Sequence, residues 1–282
     1  MKSLALVLAA ASLPAAAADF GTYTINGETV ALTHGCTVVP HVDGVGFGKP
    51  EAIVLLSSKP LDCDAYASWV NPASGAFDDA VDEGDGGLVA LDVGAGPKLS
   101  RISVYGVGYT LGNDSCDGCT AKIEAGGAGL RGSVATTAPL WDGKLTLDAK
   151  FDLPKGAGPA KGESLAGGGD PGKAYLAYLA AYNEGDYEAL RTLMPEGEAE
   201  EDFGWYSDEE RREGIKSQAS GMVPKTAKVT DAWKIGNGAL LVTELPSPHG
   251  DDMRYRGYAS LAFDGKAWRV REHKIAWGEP IE

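Results

Sequence analysis

The chain reads as two folded units, an all-β sandwich-like domain followed by an α+β domain in which helices precede an antiparallel meander. Three observations predict this. Residues 20–154 show short alternating apolar runs separated by turn residues, the pattern of half-buried strands. Residues 155–170, KGAGPAKGESLAGGGD, are Gly, Ala, Pro and Lys with little apolar content. After them apolar residues recur with helical spacing and then return to alternation.

In the first unit, TYTI and ETVAL flank Asn26-Gly27, a two-residue turn that accommodates left-handed backbone and so marks a hairpin. AIVLL (52–56) is an uninterrupted apolar run and predicts a strand buried on both faces. LVALDV (88–93), a long strand ISVYGVGYTL (102–111), AKIEA (121–125) and LRGSVAT (130–136) follow. PLW and KLTLDAKFDL meet across Asp142-Gly143 and close the domain. The piece from Asp62 to Phe77 has room for one short helix.

The second unit, 171–282, opens on Asp170-Pro171, a cap residue before Pro at the first helical position. Tyr175, Tyr178, Leu179 and Tyr182 share one helical face, and Asn183-Glu184-Gly185 ends that helix. Asp186 caps a second helix carrying Leu190 and Leu193. Ser207 with Glu210 forms a capping box for a third. Two hairpins complete the meander, turning at Asn237-Gly238 and Asp264-Gly265. The linker cannot bury enough surface to offset the entropy of ordering it, whereas each flank can form a core. The halves are therefore expected to be separable folding units, with protease cutting near Lys155 or Lys161.

Residues 1–18 have the form of a cleavable leader. Lys2 precedes a short apolar run from Leu4 to Leu13, and Ala16-Ala17-Ala18 is a small-residue cleavage site. No stretch is long and apolar enough to predict a membrane span. The expected compartment is periplasmic or extracellular. Net charge is −15. Residues 19–154 carry 18 acidic against 8 basic side chains, and residues 171–282 carry 20 against 14. Such a surface repels nucleic acid and anionic lipid. The four cysteines, Cys36, Cys63, Cys116 and Cys119, form an even set in an exported chain and predict disulfides. Of the three pairings, Cys116–Cys119 with Cys36–Cys63 is favoured, because the chain already holds the first pair together. A redox reading of Cys-Asp-Gly-Cys needs a helix after it, and the flanks read as strand and loop.

Two segments of the second unit carry a family resemblance. YLAYLAAYNEGDYEALRTLM (175–194) has a first helix, a Gly-Asp break and a second helix. FDGKAWRVREHKI (263–275) has an Asp-Gly turn followed by a Trp strand. In both, this half resembles the ketosteroid-isomerase-like superfamily, also called nuclear transport factor two-like. The resemblance covers about 110 of the 282 residues. It implies a sheet curled around helices into a cone with a pocket. The superfamily holds isomerases, dehydratases and members that only bind or dimerise. No acid or base of the isomerases maps onto a residue here, so no catalytic residue is assigned.

Four side chains stand out as ligand-binding candidates. If the last hairpin places Phe263 opposite Lys266, one face pairs Leu261 with Trp268 and Ala259 with Val270. The other then pairs Ser260 with Arg269, Tyr258 with Arg271 and Arg256 with His273, a basic stripe in an acidic protein. Arginine forks there suit a carboxylate, or an outer face docking on the acidic first unit. His34, Cys36 and His41 are three potential ligands in one stretch, too few for a closed metal site and fewer once Cys36 is oxidised. Asp78, Asp79, Asp82, Glu83 and Asp85 read as an acidic surface loop without the calcium-loop pattern. Trp205 and Tyr206 read as core and staple residues or as the mouth of the cone. No phosphate loop and no serine elbow is present, and no cofactor or metal is implied. The expected function is non-catalytic binding of a partner protein or small ligand. The alternative is a periplasmic enzyme using the cone pocket for proton-transfer chemistry.

Overall fold

A computed structural model describes residues 19–41, 50–81, 86–106, 109–113, 119–126, 129–140, 143–154, 156, 162–220, 223–247 and 253–281. The leader, Asp82 to Asp85, Cys116 and the Asp142 turn position lie outside the described residues. The fold is mostly β, with three five-stranded antiparallel sheets and five α-helices among the described residues.

The first unit supplies two of the sheets. Its strands are β1 (Gly21–Ile25), β2 (Glu28–Leu32), β3 (His34–Val38), β4 (Ala52–Ser57), β5 (Gly87–Gly94), β6 (Lys98–Gly106), β7 (Tyr109–Asn113), β8 (Thr120–Gly126), β9 (Gly129–Leu140) and β10 (Gly143–Pro154), with α1 (Pro72–Ala80) between β4 and β5. One sheet runs β2-β1-β10-β9-β8 and the other β3-β4-β5-β6-β7. The first hairpin forms as its sequence dictates, with Asn26 at φ 51° and Gly27 at φ 90° in the turn. In β10 burial alternates residue by residue, so that Leu145, Leu147, Ala149, Phe151 and Leu153 enter a core shared with Val54, Leu56, Val89, Leu91 and Val104 of the facing sheet. β4 is buried at every position. Its even residues face that core, while Ile53 and Leu55 face Ala73, Ala76 and Ala80 of α1. The middle sheet is therefore covered on both sides, which is why its strand is apolar without interruption.

Three expectations change here. The single strand read from Ile102 to Leu111 is a hairpin of β6 and β7, because the chain reverses after Gly106. The segment read as one short helix holds a 3-10 turn at Ala65–Ser68 and then α1, which is capped by the Asn71 side chain accepting from Ala73 N at 3.2 Å. α1 extends past Phe77, so Asp78 and Asp79 belong to its last turn and not to a loop.

The second unit begins inside the stretch read as linker. β11 (Glu163–Ser164) pairs with the sheet, and a 3-10 turn at Ala166–Gly168 leads into α2 (Gly169–Glu184). Gly168, not Asp170, occupies the cap position, and Asp170 sits in the first turn beside Lys173. α3 (Tyr187–Leu193) is capped by Asp186, whose carboxylate accepts from Ala189 N at 3.0 Å. α4 (Glu198–Phe203) has no counterpart in the sequence reading, and α5 (Asp208–Ala219) carries the expected capping box of Ser207 and Glu210. The meander is β12 (Lys228–Ile235), β13 (Gly238–Pro246), β14 (Arg254–Phe263) and β15 (Trp268–Pro280), giving the order β11-β12-β13-β14-β15.

One face of this sheet, with Ala232, Leu241, Ala259, Leu261 and Val270, packs on the helices. Tyr175, Tyr178 and Tyr182 of α2 and Phe203 of α4 fill the space between them. The opposite face is covered in part. Ile235, Leu240 and Tyr258 form a buried cluster with Val70, and Trp233, Val242 and Ala67 pack around it. The 3-10 turn of the first unit thus lies directly on the sheet of the second. Gly238 permits this approach, since a β-carbon there would stand 2.4 Å from Ser68 Oγ. His41 also reaches the second unit, with its ring 4.4 Å from that of Trp233.

The last hairpin has a different register from the expected one. Its loop spans four residues, closed by Asp264, whose carboxylate accepts from Lys266 N at 2.8 Å, Ala267 N at 2.7 Å and Arg269 Nε at 2.8 Å. Phe263 consequently pairs with Trp268 and Leu261 with Val270. A bulge then follows, since Ser260 pairs with Glu272, leaving Arg271 as the extra residue. It returns Glu272 to the outer face and turns His273 inward, opposite Ala259.

Candidate functional site

The docking of residues 62–80 on the second sheet leaves a cleft of about 830 Å3 at the junction of the two units. One wall is the 3-10 turn and α1, contributing Asp62, Tyr66, Trp69, Ser74, Asp78 and Asp79. The other comes from the chain entering and forming α4, with Glu196, Glu198 and Glu201. Arg271 and Glu272 of β15 complete it. Seven carboxyl groups thus face one guanidinium and two aromatic rings.

Local structure fixes several of these groups. Tyr66, fully buried, donates from its hydroxyl to Asp79 Oδ2 at 2.5 Å, which aims that carboxylate. Glu272 receives Asn71 N at 3.1 Å and Ser74 Oγ at 3.4 Å, so a residue of the second unit satisfies the entry to α1 of the first. Lys274 also reaches Glu272, at 2.7 Å. The Arg271 guanidinium lies 5.1 Å from the centre of the Trp69 ring, a cation–π contact between the units. The disulfide Cys36–Cys63 ties β3 to the chain two residues before the 3-10 turn and anchors the docked segment at its root.

Burial, reinforced by like charge, governs the electrostatics. Burial, then Asp79 and Glu272, push the Asp78 carboxyl up to about 6, against the opposing pull of Arg271. Burial pushes Glu198 up to about 7, and Asp202, Asp78 and Glu201 add to it. Glu198 is half-buried and Asp78 more exposed, so solvent screens Asp78 more. Burial lowers Arg271 from the usual guanidinium value, while Asp78 and Asp79 counter this. Two carboxyls from different units therefore exchange protons close to neutral pH.

The four ligand-binding candidates do not meet in one stripe. Tyr258 is buried beneath Val70 at the junction. Arg271 lines the cleft. Arg256 is exposed in β14. His273 faces the helices, with its ring 5.6 Å from that of Tyr175, and burial pushes its pKa down to about 4. Arg269 turns away from the cleft to bond Asp264 and the Arg191 carbonyl.

Cys36 and Cys63 form the favoured disulfide, and Cys119 is also disulfide-bonded. Cys36 is therefore no thiolate ligand beside His34 and His41. Among the described residues no three His, Cys, Asp or Glu side chains are arranged to hold a metal ion. Nor is any described helix long and apolar enough to cross a membrane. Trp205 is 71% exposed and stacks on Tyr206 with centroids 3.6 Å apart, so it is not a core residue.

Sequence reasoning missed the cleft because its walls come from residues 62–79, 195–201 and 271–272. The one available signal was the excess of acid at Asp78-Asp79 and Glu196–Asp202. No protein family matches the chain, and no curated protein or solved structure matches it.

Proposed function

We propose that this is an exported binding protein, a sandwich-like unit joined to a cone-like unit of ketosteroid-isomerase-like type, whose junction cleft takes an organic polycation bearing amines. The observation that carries the reading is the composition of the cleft, seven carboxyl groups against one arginine, with Tyr66 and Trp69 beside them. Ammonium groups would offset the burial and like charge that raise Asp78 and Glu198, and aromatic faces also attract cations. The Cys36–Cys63 disulfide and the leader-like residues 1–18 support export.

Calorimetric titration of spermidine into the full chain tests this. Binding should weaken with salt, and Glu198→Gln or Asp78→Asn should each cost about fivefold, the equivalent of ~1 kcal/mol for a partly exposed pair. Between pH 6 and 7 binding should release protons, because the cation pulls both carboxyls down. The measured heat would then depend on the ionisation enthalpy of the buffer. Absence of binding at low salt, or binding indifferent to both substitutions, refutes the reading.

A second reading, proton-transfer catalysis, is favoured by the same two carboxyls, which titrate where a general acid or base works best. It would use the cleft rather than the cone interior, which Tyr175, Tyr178, Tyr182 and Phe203 fill. Turnover of a small amine or carbonyl substrate, abolished by Glu198→Gln, would establish it over simple binding.

A further inference from the structure

We infer that the joint between the two units is a pH-dependent clasp, in which Asp78 at the end of α1 and Glu198 at the start of α4, on opposite walls of one cleft, permit docking while protonated and oppose it when ionised. The inference concerns the joint itself and does not depend on any ligand.

The geometry supplies both halves of the device. Docking is driven by an apolar contact, Val70 against Ile235, Leu240 and Tyr258, which carries no charge. It is held in register by neutral or already paired groups: Ser68 against Gly238, and Asn71 N and Ser74 Oγ on Glu272. The same docking brings the acidic end of α1 towards the acidic start of α4. Asp78 meets Asp79 on its own helix, Glu272 and Arg271 from β15, and Glu198 from α4. Glu198 in turn meets Asp202 and Glu201 on its own helix. Glu196, Asp62 and the Tyr66 hydroxyl line the same space. Among the described residues that line the cleft Arg271 is the one cation, and Lys274 pairs with Glu272 beside it. The apolar contact therefore pulls the units together against a carboxylate surplus that only protonation or a cation can discharge.

The sign follows from where the carboxyls titrate. Both sit above the ordinary carboxylate range when docked, and on parting Asp78 loses Glu272 and the cover of the other unit while Glu198 loses Asp78, so both move back towards it. Their contribution to docking is complete below about pH 4 and is lost as pH rises through about 6 and 7. His41, at the same junction against Trp233, works in the opposite direction. Burial lowers its pKa, so its contribution is present above the ordinary histidine value and is lost as pH falls. A comparison with variants that keep His41 removes that opposing effect.

Hydrogen exchange of peptides covering residues 65–71, in the full chain at pH 5.5 and pH 8, corrected for intrinsic rates, reads the opening of the joint. One unit of displaced pKa corresponds to tenfold in an equilibrium. Allowing for the exposure of Asp78, opening in the wild type should increase about tenfold or more relative to the Asp78→Asn, Glu198→Gln double variant over this interval. The single variant Glu198→Gln, a half-buried site needing no repacking, should remove the larger share and serves if the double variant does not fold. An equal pH response in wild type and Glu198→Gln overturns the clasp. So does a wild-type joint that opens more at pH 5.5 than at pH 8 by the same factor as the variants.

Discussion

His273 shows how a single residue can reverse the reading of a strand. Strict alternation from Phe263 and Lys266 would put it on the outer, basic face. Asp264 instead closes a four-residue loop, and the bulge at Arg271 adds one residue more, so His273 points at Tyr175 while Arg271 and Glu272 reach the cleft. Neither the side-chain bonding of one aspartate nor a bulge is visible in the apolar pattern. Burial at this position penalises the charged imidazole. The His273 ring should therefore stay neutral at pH 6, with its nuclear magnetic resonance signals moving only below about pH 5. Because the folded pKa is depressed, its contribution to stability is present above the ordinary histidine range and is lost as pH falls towards 4. A ring titrating at its ordinary value would place His273 in solvent.

Among the elements, those legible in the sequence bury one face or two in a simple pattern. β10 alternates and β4 is apolar from Ala52 to Leu56, and both were readable because their neighbours are whole sheets. α4 was not readable, since Glu198–Phe203 is mostly acidic and buries only Ala199 and Phe203. Caps were readable where a side chain makes them. Replacing Asp186 by Ala should cost about 1 kcal/mol, read as a lower midpoint in thermal or urea unfolding, because Ala189 N loses its acceptor. The docked segment is held at two ends. At one end, the Cys36–Cys63 bridge should contribute about 2–4 kcal/mol, so replacing both cysteines by Ser should lower the unfolding midpoint accordingly. At the other, Gly238→Ala forces a methyl into Ser68 and should cost about 1–3 kcal/mol. Limited proteolysis should then cut within residues 62–80 sooner than in the wild type, while far-ultraviolet circular dichroism stays unchanged.

For the molecule as a whole, the layers stack in one direction: outer sheet, middle sheet, the docked segment with α1, the third sheet, and the helices. Two cores were legible, because each half carries enough apolar residues for its own. Their contact was not, because Trp69-Val70 is a short apolar pair before Asn71 with no periodicity of its own, and the partners of Val70 on the third sheet lie more than 160 positions on. The linker composition suggested independent units, and the apolar junction adds a reason for them to stay together. The central claim is that the two units form one body around the cleft. Small-angle X-ray scattering of the full chain at pH 6 tests it most directly. The account predicts a radius of gyration close to that of a single compact body of this length, about 18–20 Å, with a pair-distance distribution of one maximum. A distribution with two maxima, from lobes separated by an extended linker, would contradict it.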